Sequence, residues 1–376
     1  MRKCRVCGHE FFKEPLLRYE NMPKAAQFLP DAKSVENEKG ENLEIYQCSG
    51  CGLIQLSNDP VPYYKEVIRA AAFSAEMKDF RNKQFQSFAQ KYSLKGEKVI
   101  EIGCGRGEYL SIMQQLGVEA YGLEYAEEAV MQCVKNGLKV SQGFIQSGSE
   151  SLKHAPFKGF FILNFLEHLP DPNSTLRGIY NNLMNDAIGL VEVPNFDMIL
   201  RKNLFSEFIG DHLFYFTRET LNTTLKLNGF EILECDEVWH DYIISAVVRK
   251  RAKIGLERFY KDQAKLKNEI EEYINRFQDK KVAIWGAGHQ ALAVISLTNL
   301  TGKVKYVVDS AVFKQGKFTP ATHIPIVSPD TLGTDPVGAI IVMAASYSDE
   351  VVKIIQGKFG KKIAIAVLRD FGLEEV

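Results

Sequence analysis

The sequence predicts an α/β fold, with a central doubly wound parallel sheet between a small N-terminal metal-binding module and a C-terminal α/β domain. Strand-like apolar runs alternate with helix-like amphipathic runs from Val99 to Val248, the pattern of a parallel sheet covered by helices. A glycine-rich turn follows the first strand, and a second strand with its own glycine turn occurs at Lys281–His289. The 376 residues suffice for two or three domains, which we place at 1–62, 63–250 and 251–376.

Composition and charge limit the classes of partner. The chain is 45% hydrophobic and 25% charged, and its formal net charge of −1 gives no reason to expect binding to nucleic acid or to an acidic membrane. No apolar run approaches the ~20 residues that span a bilayer. The first residues, MRKCRVCGHE, lack the apolar core of a signal peptide. We therefore expect a cytoplasmic protein with a small-molecule substrate.

Two C-x-x-C pairs frame the N-terminal module, Cys4 with Cys7 and Cys48 with Cys51. Two such pairs place four thiolates around one tetrahedral ion, and Zn²⁺ suits that geometry best. The polar segment between the pairs has little apolar core, so the metal would stabilise the module. The alternative is two unrelated turns with reduced cysteines, as expected in a cytosolic chain. We predict a structural zinc ion.

The stretch VIEIGCGRGEYL predicts a buried strand, a glycine turn and a helix N-terminus, which together form a nucleotide-type pocket. The glycines Gly103, Gly105 and Gly107 have G-x-G-x-G spacing, so the dinucleotide fingerprint is not met. With Glu101 in the strand, the motif E-x-G-x-G-x-G resembles the first motif of class I S-adenosylmethionine (SAM) methyltransferases. That resemblance implies a glycine loop under the methionine part of SAM. A tight turn without a ligand is the alternative.

An acidic residue, Glu124, ends the next predicted strand, about one βαβ half-unit after the glycine loop. A carboxylate at this place accepts hydrogen bonds from the ribose hydroxyls of a nucleotide cofactor. The adjacent Tyr125 and the later Gln142, which lies where adenine would be met, complete the expected cofactor contacts.

A third strand runs into the segment N-F-L-E-H-L-P-D-P. It resembles the segment after the fourth strand of the same methyltransferases. The resemblance implies that Asn164, Glu167 and His168 line the methyl-transfer pocket; a structural loop histidine is the alternative for His168.

An aromatic loop, Phe205–Phe216, contains Asp211 beside His212. A loop after a nucleotide-binding sheet is a fair place for a general base. Neighbouring residues of an extended loop usually point apart, so we expect His212 and Asp211 to act separately, or Asp211 to be structural. A histidine packed on aromatic rings is the alternative.

The C-terminal region begins with a predicted charged amphipathic helix, Arg249–Lys280. The following glycine turn contains Gly286 and Gly288 but matches only part of the dinucleotide fingerprint. Lys314 and Lys317 lie in a later polar loop, as cations placed for phosphate.

The three blocks in this order resemble the sugar C-methyltransferase family, whose members join a zinc module, a central Rossmann-like SAM domain and a C-terminal Rossmann-like domain. The motif D-S-x-x-x-K-Q-G-K-F-x-P…I-P-I is the most specific to the family. The resemblance implies methylation of a keto-sugar carbon on a nucleotide sugar, with His212 as the base and Asp211 in place of the family's Glu. It also implies substrate contacts at Ser74 and Tyr215. The chain departs from the family near Arg69, at Ile209–Gly210 and at Trp239–Ser245.

The leading hypothesis is a SAM-dependent methyltransferase that acts on a nucleotide-linked sugar or a similar phosphorylated metabolite. An O- or N-methyltransferase of another small molecule is the second hypothesis. The third is a non-catalytic, zinc-stabilised binding protein that has kept the fold. The intact glycine loop and Glu124 favour the enzyme hypotheses. The sequence leaves the acceptor and the oligomeric state open.

Overall fold

A computed structural model describes residues 3–24, 27, 29–66, 74–278, 281–370 and 372–376. The chain forms two compact units, Met1–Ala252 and Lys253–Val376. Each unit is built around its own β-sheets and its own core.

The strands, in chain order, are β1 (Leu17–Met22), β2 (Glu41–Gln47), β3 (Ile54–Leu56), β4 (Lys98–Ile102), β5 (Glu119–Glu124), β6 (Lys139–Gln142), β7 (Phe157–Leu163), β8 (Leu183–Pro194), β9 (Phe214–Tyr215), β10 (Phe230–Val238), β11 (Ile243–Lys250), β12 (Val282–Trp285), β13 (Val307–Val308), β14 (Ile326–Val327), β15 (Ala339–Val342), β16 (Ala364–Arg369) and β17 (Gly372–Glu375). The α-helices are α1 (Ala75–Lys91), α2 (Glu108–Gln115), α3 (Glu127–Lys135), α4 (Pro172–Asn181), α5 (Phe196–Lys202), α6 (Arg218–Leu227), α7 (Glu257–Asn275), α8 (His289–Leu297), α9 (Thr331–Thr334) and α10 (Ser348–Phe359).

The central sheet has the strand order β10-β11-β8-β7-β4-β5-β6. From β6 to β8 the strands are parallel, as the sequence predicts. Helices connect β4 to β5, β5 to β6 and β7 to β8, whereas an irregular segment connects β6 to β7. β11 is antiparallel to β8 and to β10, because a short turn joins β10 directly to β11 and a hairpin can only pair antiparallel strands. The predicted α/β fold class is confirmed, with an antiparallel hairpin added at one edge.

The N-terminal sheet has the antiparallel order β1-β2-β3-β9. Its last strand, β9, comes from the aromatic loop that follows β8. The inner faces of β2 and β3 bury Leu43, Ile45 and Leu56 against Phe196 and Phe208. The N-terminal sheet therefore shares its core with residues that follow strand β8, within one compact unit.

The second unit holds a further sheet, in the order β14-β13-β12-β15-β16-β17. All neighbouring pairs are parallel except β16 with β17. Apolar clusters cover both faces of this sheet, as the continuous apolar strands require. None of the helices in the described part of the chain combines the length and the apolar composition that crossing a membrane requires.

Two helices differ from those that the sequence predicts, which are a helix over Tyr63–Tyr92 and one over Arg249–Lys280. Helix α1 begins at Ala75, with the Ser74 hydroxyl accepting a hydrogen bond from the Met77 amide at 3.1 Å. Residues 67–73, including Arg69, lie outside the described residues. The helix predicted to begin at Arg249 instead begins at Glu257. The prediction was wrong at this end because strand β11 continues to Lys250, which pairs with Phe230 of β10.

A buried ion pair joins helix α1 to the sheet. Arg81 on α1 and Glu192 on β8 are 1% and 0% exposed, and an Arg81 guanidinium nitrogen contacts the Glu192 carboxylate. Gln84 donates a hydrogen bond to the other Glu192 oxygen at 2.5 Å and a weaker one to Ser245 on β11 at 3.3 Å. This network fixes the N-terminal half of helix α1 to strands β8 and β11.

Replacing Arg81 with methionine should destabilise the first unit by about 3–5 kcal/mol, because the Glu192 charge then stays buried without its partner. The matched control is Arg249→Met, which breaks an exposed pair with Glu231 and should cost less than about 1 kcal/mol. Urea unfolding measures both. The double variant Arg81→Met/Glu192→Leu should recover most of the loss; equal stabilities of Arg81→Met and the control would contradict this account.

Candidate active site

The glycine loop after β4 adopts the conformation that its glycines allow. Gly103, Gly105 and Gly107 all have positive φ, at 71°, 53° and 80°, which side-chain-bearing residues rarely adopt. A Cβ on Gly103 would lie 3.0 Å from the Phe165 ring, whereas a Cβ on Gly105 would meet nothing within 4 Å. The loop therefore packs tightly on one side and leaves open space above Gly105.

Glu124 lies at the carboxyl end of β5, next to that open space. Its carboxylate accepts hydrogen bonds from the Gly105 amide at 2.8 Å and from the Ala126 amide at 2.9 Å, and the residue is 7% exposed. Each carboxylate oxygen keeps a second lone pair for a ligand. An acid fixed in this way beside an open glycine loop fits the ribose of a nucleotide cofactor.

Aromatic rings line the cleft beside Glu124. Tyr125 and Phe144 pack edge to face, with ring centroids 6.3 Å apart, and Phe144 contacts Phe165 in the same way. The Lys65 ammonium lies 5.2 Å from the centroids of both Tyr125 and Phe144. Sequence reasoning missed Lys65, because a single lysine in a polar segment carries no signal. Gln142 donates a 3.3 Å hydrogen bond to the Tyr125 carbonyl and lies at the surface.

The polar segment after β7 lies beside the glycine loop. Asn164 has φ 51°, and its amide donates to the Glu192 carbonyl at 2.8 Å. Residues Leu166–His168 then form one turn of 3₁₀ helix. Glu167 and His168 are 1% and 5% exposed. Burial raises the pKa of the Glu167 carboxyl to about 8 and lowers the pKa of His168.

His212 packs against this segment, because backbone hydrogen bonds hold its loop there. The Leu213 amide donates to the Glu167 carbonyl at 2.8 Å, and Nδ1 of His168 lies 2.7 Å from the Asp211 carbonyl. The His168 and His212 rings meet edge to face, with centroids 4.8 Å apart. Burial and the neighbouring His168 lower the pKa of His212 to about 3. We call Glu167, His168 and His212 the Glu–His cluster.

The other residues predicted around His212 have structural contacts. Asp211 is buried, and its carboxylate accepts a 2.6 Å hydrogen bond from the Tyr63 hydroxyl, with no hydrogen bond to the His212 ring among the described residues. The Tyr215 hydroxyl accepts from the Ile209 amide at 2.9 Å. Ser74 caps helix α1. The structure therefore brings Glu167, His168 and His212 together and places the side chains of Asp211, Tyr215 and Ser74 in other interactions.

The turn between β10 and β11 has an unusual backbone conformation. Trp239, His240 and Asp241 all have positive φ, and three such residues in a row carry a conformational cost that the surroundings must offset. The buried Asn195 side chain holds the turn by donating to the Asp241 carbonyl at 2.7 Å. Trp239 also packs on Phe80 of α1, with centroids 5.3 Å apart.

The four cysteines of the N-terminal module converge. The Sγ atoms of Cys4 and Cys51 are 3.7 Å apart and those of Cys7 and Cys48 are 3.4 Å apart. All four lie within 4.8 Å of one another. Backbone amides in each C-x-x-C turn donate to Cys4 and Cys48, and the buried Gln55 amide donates to Cys4 at 3.2 Å. Four thiols in this arrangement suit a tetrahedral metal ion.

The second unit also has a glycine turn after a strand, with an acidic residue at the end of the next strand. Gly286 follows β12 with φ 119°, and the Ala287 amide donates to the Asp309 carboxylate at 2.8 Å, as Gly105 does to Glu124. Lys314 forms a 2.9 Å ion pair with Asp309. Gly288 caps helix α8. Lys317 is exposed and makes no ion pair with any residue in the described ranges.

Two family models match parts of this chain. A family model described as a methyltransferase domain matches residues 71–235. A model described as a C-methyltransferase C-terminal domain matches residues 248–366. The first match lies in the first unit, and nearly all of the second match lies in the second unit.

Individual relatives are similar over different lengths. The C-methyltransferase NovU of Streptomyces niveus is 22% identical, over 93% of this chain and 91% of that protein. A ubiquinone biosynthesis O-methyltransferase of Pseudomonas entomophila is 33% identical over 24% of this chain and 41% of its own length. A solved S-adenosylmethionine-dependent methyltransferase from Clostridium acetobutylicum, 14% identical, matches 50% of this chain and 96% of its own with a TM-score of 0.39. The chain carries a methyltransferase domain followed by a C-methyltransferase C-terminal domain, and the protein is a methyltransferase.

Proposed function

We propose that the enzyme methylates the carbon next to the carbonyl of a keto-sugar carried on a nucleotide diphosphate. The observation that carries the proposal is the buried Glu–His cluster beside the glycine loop, where acid–base chemistry can act on a bound acceptor. The similarity to a C-methyltransferase along nearly the whole chain supports methylation on carbon.

The cofactor side of the proposal uses the residues around the glycine loop. Gly103, Gly105 and Gly107 would let the methionine part of SAM approach the backbone, and Glu124 would accept from the ribose hydroxyls. Tyr125 and Gln142 would border the adenine end. When bound, SAM supplies an electrophilic methyl group, so the protein's task is to align an acceptor and make it nucleophilic.

A carbon acceptor must lose a proton before it can be methylated. The C–H bond next to the carbonyl breaks, its electron pair forms an enolate, and the enolate carbon then forms the new C–CH₃ bond. His212 is the residue that we propose for proton removal. Its neutral imidazole offers a lone pair at neutral pH, while its low pKa means that the buried imidazolium is poorly stabilised. The function of His212 therefore depends on its neighbours Glu167 and His168.

The second unit is proposed to bind a nucleotide or phosphate group. Its strand–glycine turn–helix arrangement, with Asp309 at the end of the next strand, is of the nucleotide-binding kind. Gly286 and Gly288 would allow close approach of a phosphate. Lys317 would contact the phosphate directly, whereas Lys314 would act while paired with Asp309.

The four cysteines are proposed to bind one structural zinc ion. Their thiols surround a common point, and the amide donors at Cys4 and Cys48 stabilise thiolates. Among the described residues no further His, Cys, Asp or Glu joins the four cysteines, which suits a closed structural site. The ion would hold the N-terminal turns against β3.

The central test is an assay with SAM and a panel of nucleotide-linked keto-sugars, with NMR of the product to identify the atom that carries the new methyl group. A methyl on carbon is expected, and His212→Ala should lower kcat by about 100-fold or more. His240→Ala, at an exposed histidine, is the control and should keep its activity. A methyl on oxygen would instead support the O-methyltransferase alternative, to which the 33% identity to an O-methyltransferase over 24% of the chain lends weight.

Replacing Glu124 with glutamine should weaken SAM binding by about 10- to 100-fold, because a charged hydrogen-bond acceptor worth about 1.5–3 kcal/mol is lost. Glu127→Gln changes an exposed carboxylate three residues further along the chain, at the start of α3, and should bind SAM as the native protein does. Isothermal titration calorimetry with SAM or its demethylated product measures both. Equal affinities of the two variants would remove Glu124 from the cofactor site.

Replacing Cys48 with serine should remove the zinc and lower the thermal midpoint, since metal binding contributes directly to folding. Elemental analysis should find one zinc ion per native chain and substantially less in the variant. Cys235→Ser, outside the cysteine cluster, should retain the zinc. A Cys48→Ser protein with full zinc content would contradict the proposed ligand set.

A further inference from the structure

The Glu–His cluster has the composition and spacing of a second metal site. One ring nitrogen from each of His168 and His212 and one carboxylate oxygen of Glu167 lie within 4.8 Å of one another. Two imidazoles and one carboxylate are donors that first-row divalent cations such as Zn²⁺ and Mn²⁺ accept. The cysteine cluster, with its four soft thiols, is a chemically different site.

The Glu167 carboxylate lacks a partner for one of its oxygens. Oε2 is buried and accepts no hydrogen bond from any described residue, and no lysine or arginine of the described chain forms an ion pair with Glu167. Buried carboxylates are normally paired or hydrogen-bonded. A cation at the cluster would supply the missing partner.

The hydrogen bond of His168 prepares its other ring nitrogen for a cation. Because a carbonyl oxygen only accepts, the 2.7 Å contact between Nδ1 and the Asp211 carbonyl requires a proton on Nδ1. In the neutral ring Nε2 then carries a lone pair, and it lies 3.8 Å from Oε1 of Glu167. A backbone carbonyl that orients a histidine in this way is the usual outer partner of a metal-binding histidine.

His212 presents the third donor. Its ring nitrogens form no hydrogen bond with the described residues, although the ring lies edge to face with His168. Other charged groups near the cluster are engaged elsewhere, since Asp211 accepts from Tyr63 and Glu207 accepts from Tyr242. The lone pair of His212 therefore remains available to a ligand.

We propose that Glu167, His168 and His212 bind one divalent cation of the Zn²⁺ or Mn²⁺ type. Three protein ligands leave coordination positions open. Through one of them the cation would hold the carbonyl oxygen of the acceptor and stabilise the negative charge that develops there when the neighbouring C–H bond breaks. This last step rests on the proposed function; the cation site itself does not. With the cation bound, the proton would pass to a hydroxide ion at another open position while His212 serves as a ligand; without a cation, His212 would accept the proton itself.

Binding of Mn²⁺ to the zinc-loaded full-length protein tests the site, because Mn²⁺ prefers nitrogen and oxygen donors and does not compete for the thiolates. Electron paramagnetic resonance should detect one bound Mn²⁺ per chain. Glu167→Gln and His212→Ala should each weaken binding by at least about 10-fold, with unchanged zinc content. His240→Ala removes the histidine of an exposed Glu–His pair and should bind Mn²⁺ normally.

A measurement on the native protein keeps the test decisive if the variants fold poorly. Pulsed electron paramagnetic resonance should show ¹⁴N coupling from imidazole to the bound Mn²⁺. Absence of binding at millimolar Mn²⁺, absence of this coupling, or undiminished binding in folded Glu167→Gln and His212→Ala variants would each overturn the proposal. Keto-sugar methylation without cation binding would reject the cation and leave the proposed function intact. A bound cation with no methylated keto-sugar would support the cation site and contradict the proposed function.

Discussion

The active centre depends on one short piece of antiparallel backbone. Leu213 accepts a hydrogen bond from the Leu56 amide at 3.0 Å and donates one to the Glu167 carbonyl at 2.8 Å. It therefore connects strand β3 of the N-terminal sheet to the segment that follows β7. The next residue before it is His212, so the same two bonds set the position of the imidazole. Together with the contact between His168 Nδ1 and the Asp211 carbonyl, they hold the aromatic loop beside Glu167 and His168.

The surroundings of the cluster explain why its side chains are chemically unusual. Closely packed aromatic rings and the N-terminal sheet remove water from Glu167, His168 and His212, and the loss of solvation disfavours their charged forms. The carboxyl of Glu167 holds its proton more tightly, and the two imidazoles hold theirs more weakly. By contrast, the charge of the buried Glu192 carboxylate is balanced by the Arg81 guanidinium.

The sequence predicted the parts of the molecule that depend on local spacing. The glycine loop, the acid at the end of the second strand and the two C-x-x-C turns are each defined by a short stretch of sequence. The structure places Glu124 beside the glycine loop and, separately, brings the four cysteines together. The contacts of Asp211 and Tyr215 depend on Tyr63 and Ile209, which no local pattern connects to them. The β10–β11 hairpin and the late start of helix α7 depended on long-range strand pairing, which overrides a helical pattern in the sequence. Likewise, Glu167 and His212 are distant in the sequence and lie together only because the aromatic loop folds back onto the segment after β7.

The position of β9 also has a consequence for how the chain acquires its fold. The N-terminal sheet is completed by a strand that is synthesised only after most of the central sheet. Contacts between segments so distant in sequence close late, because the loop between them must first lose its conformational freedom. Until then β3 has an unpaired edge, and such an edge can pair with other chains. The order of synthesis thus leaves the cysteine-rich module dependent on the domain that follows it.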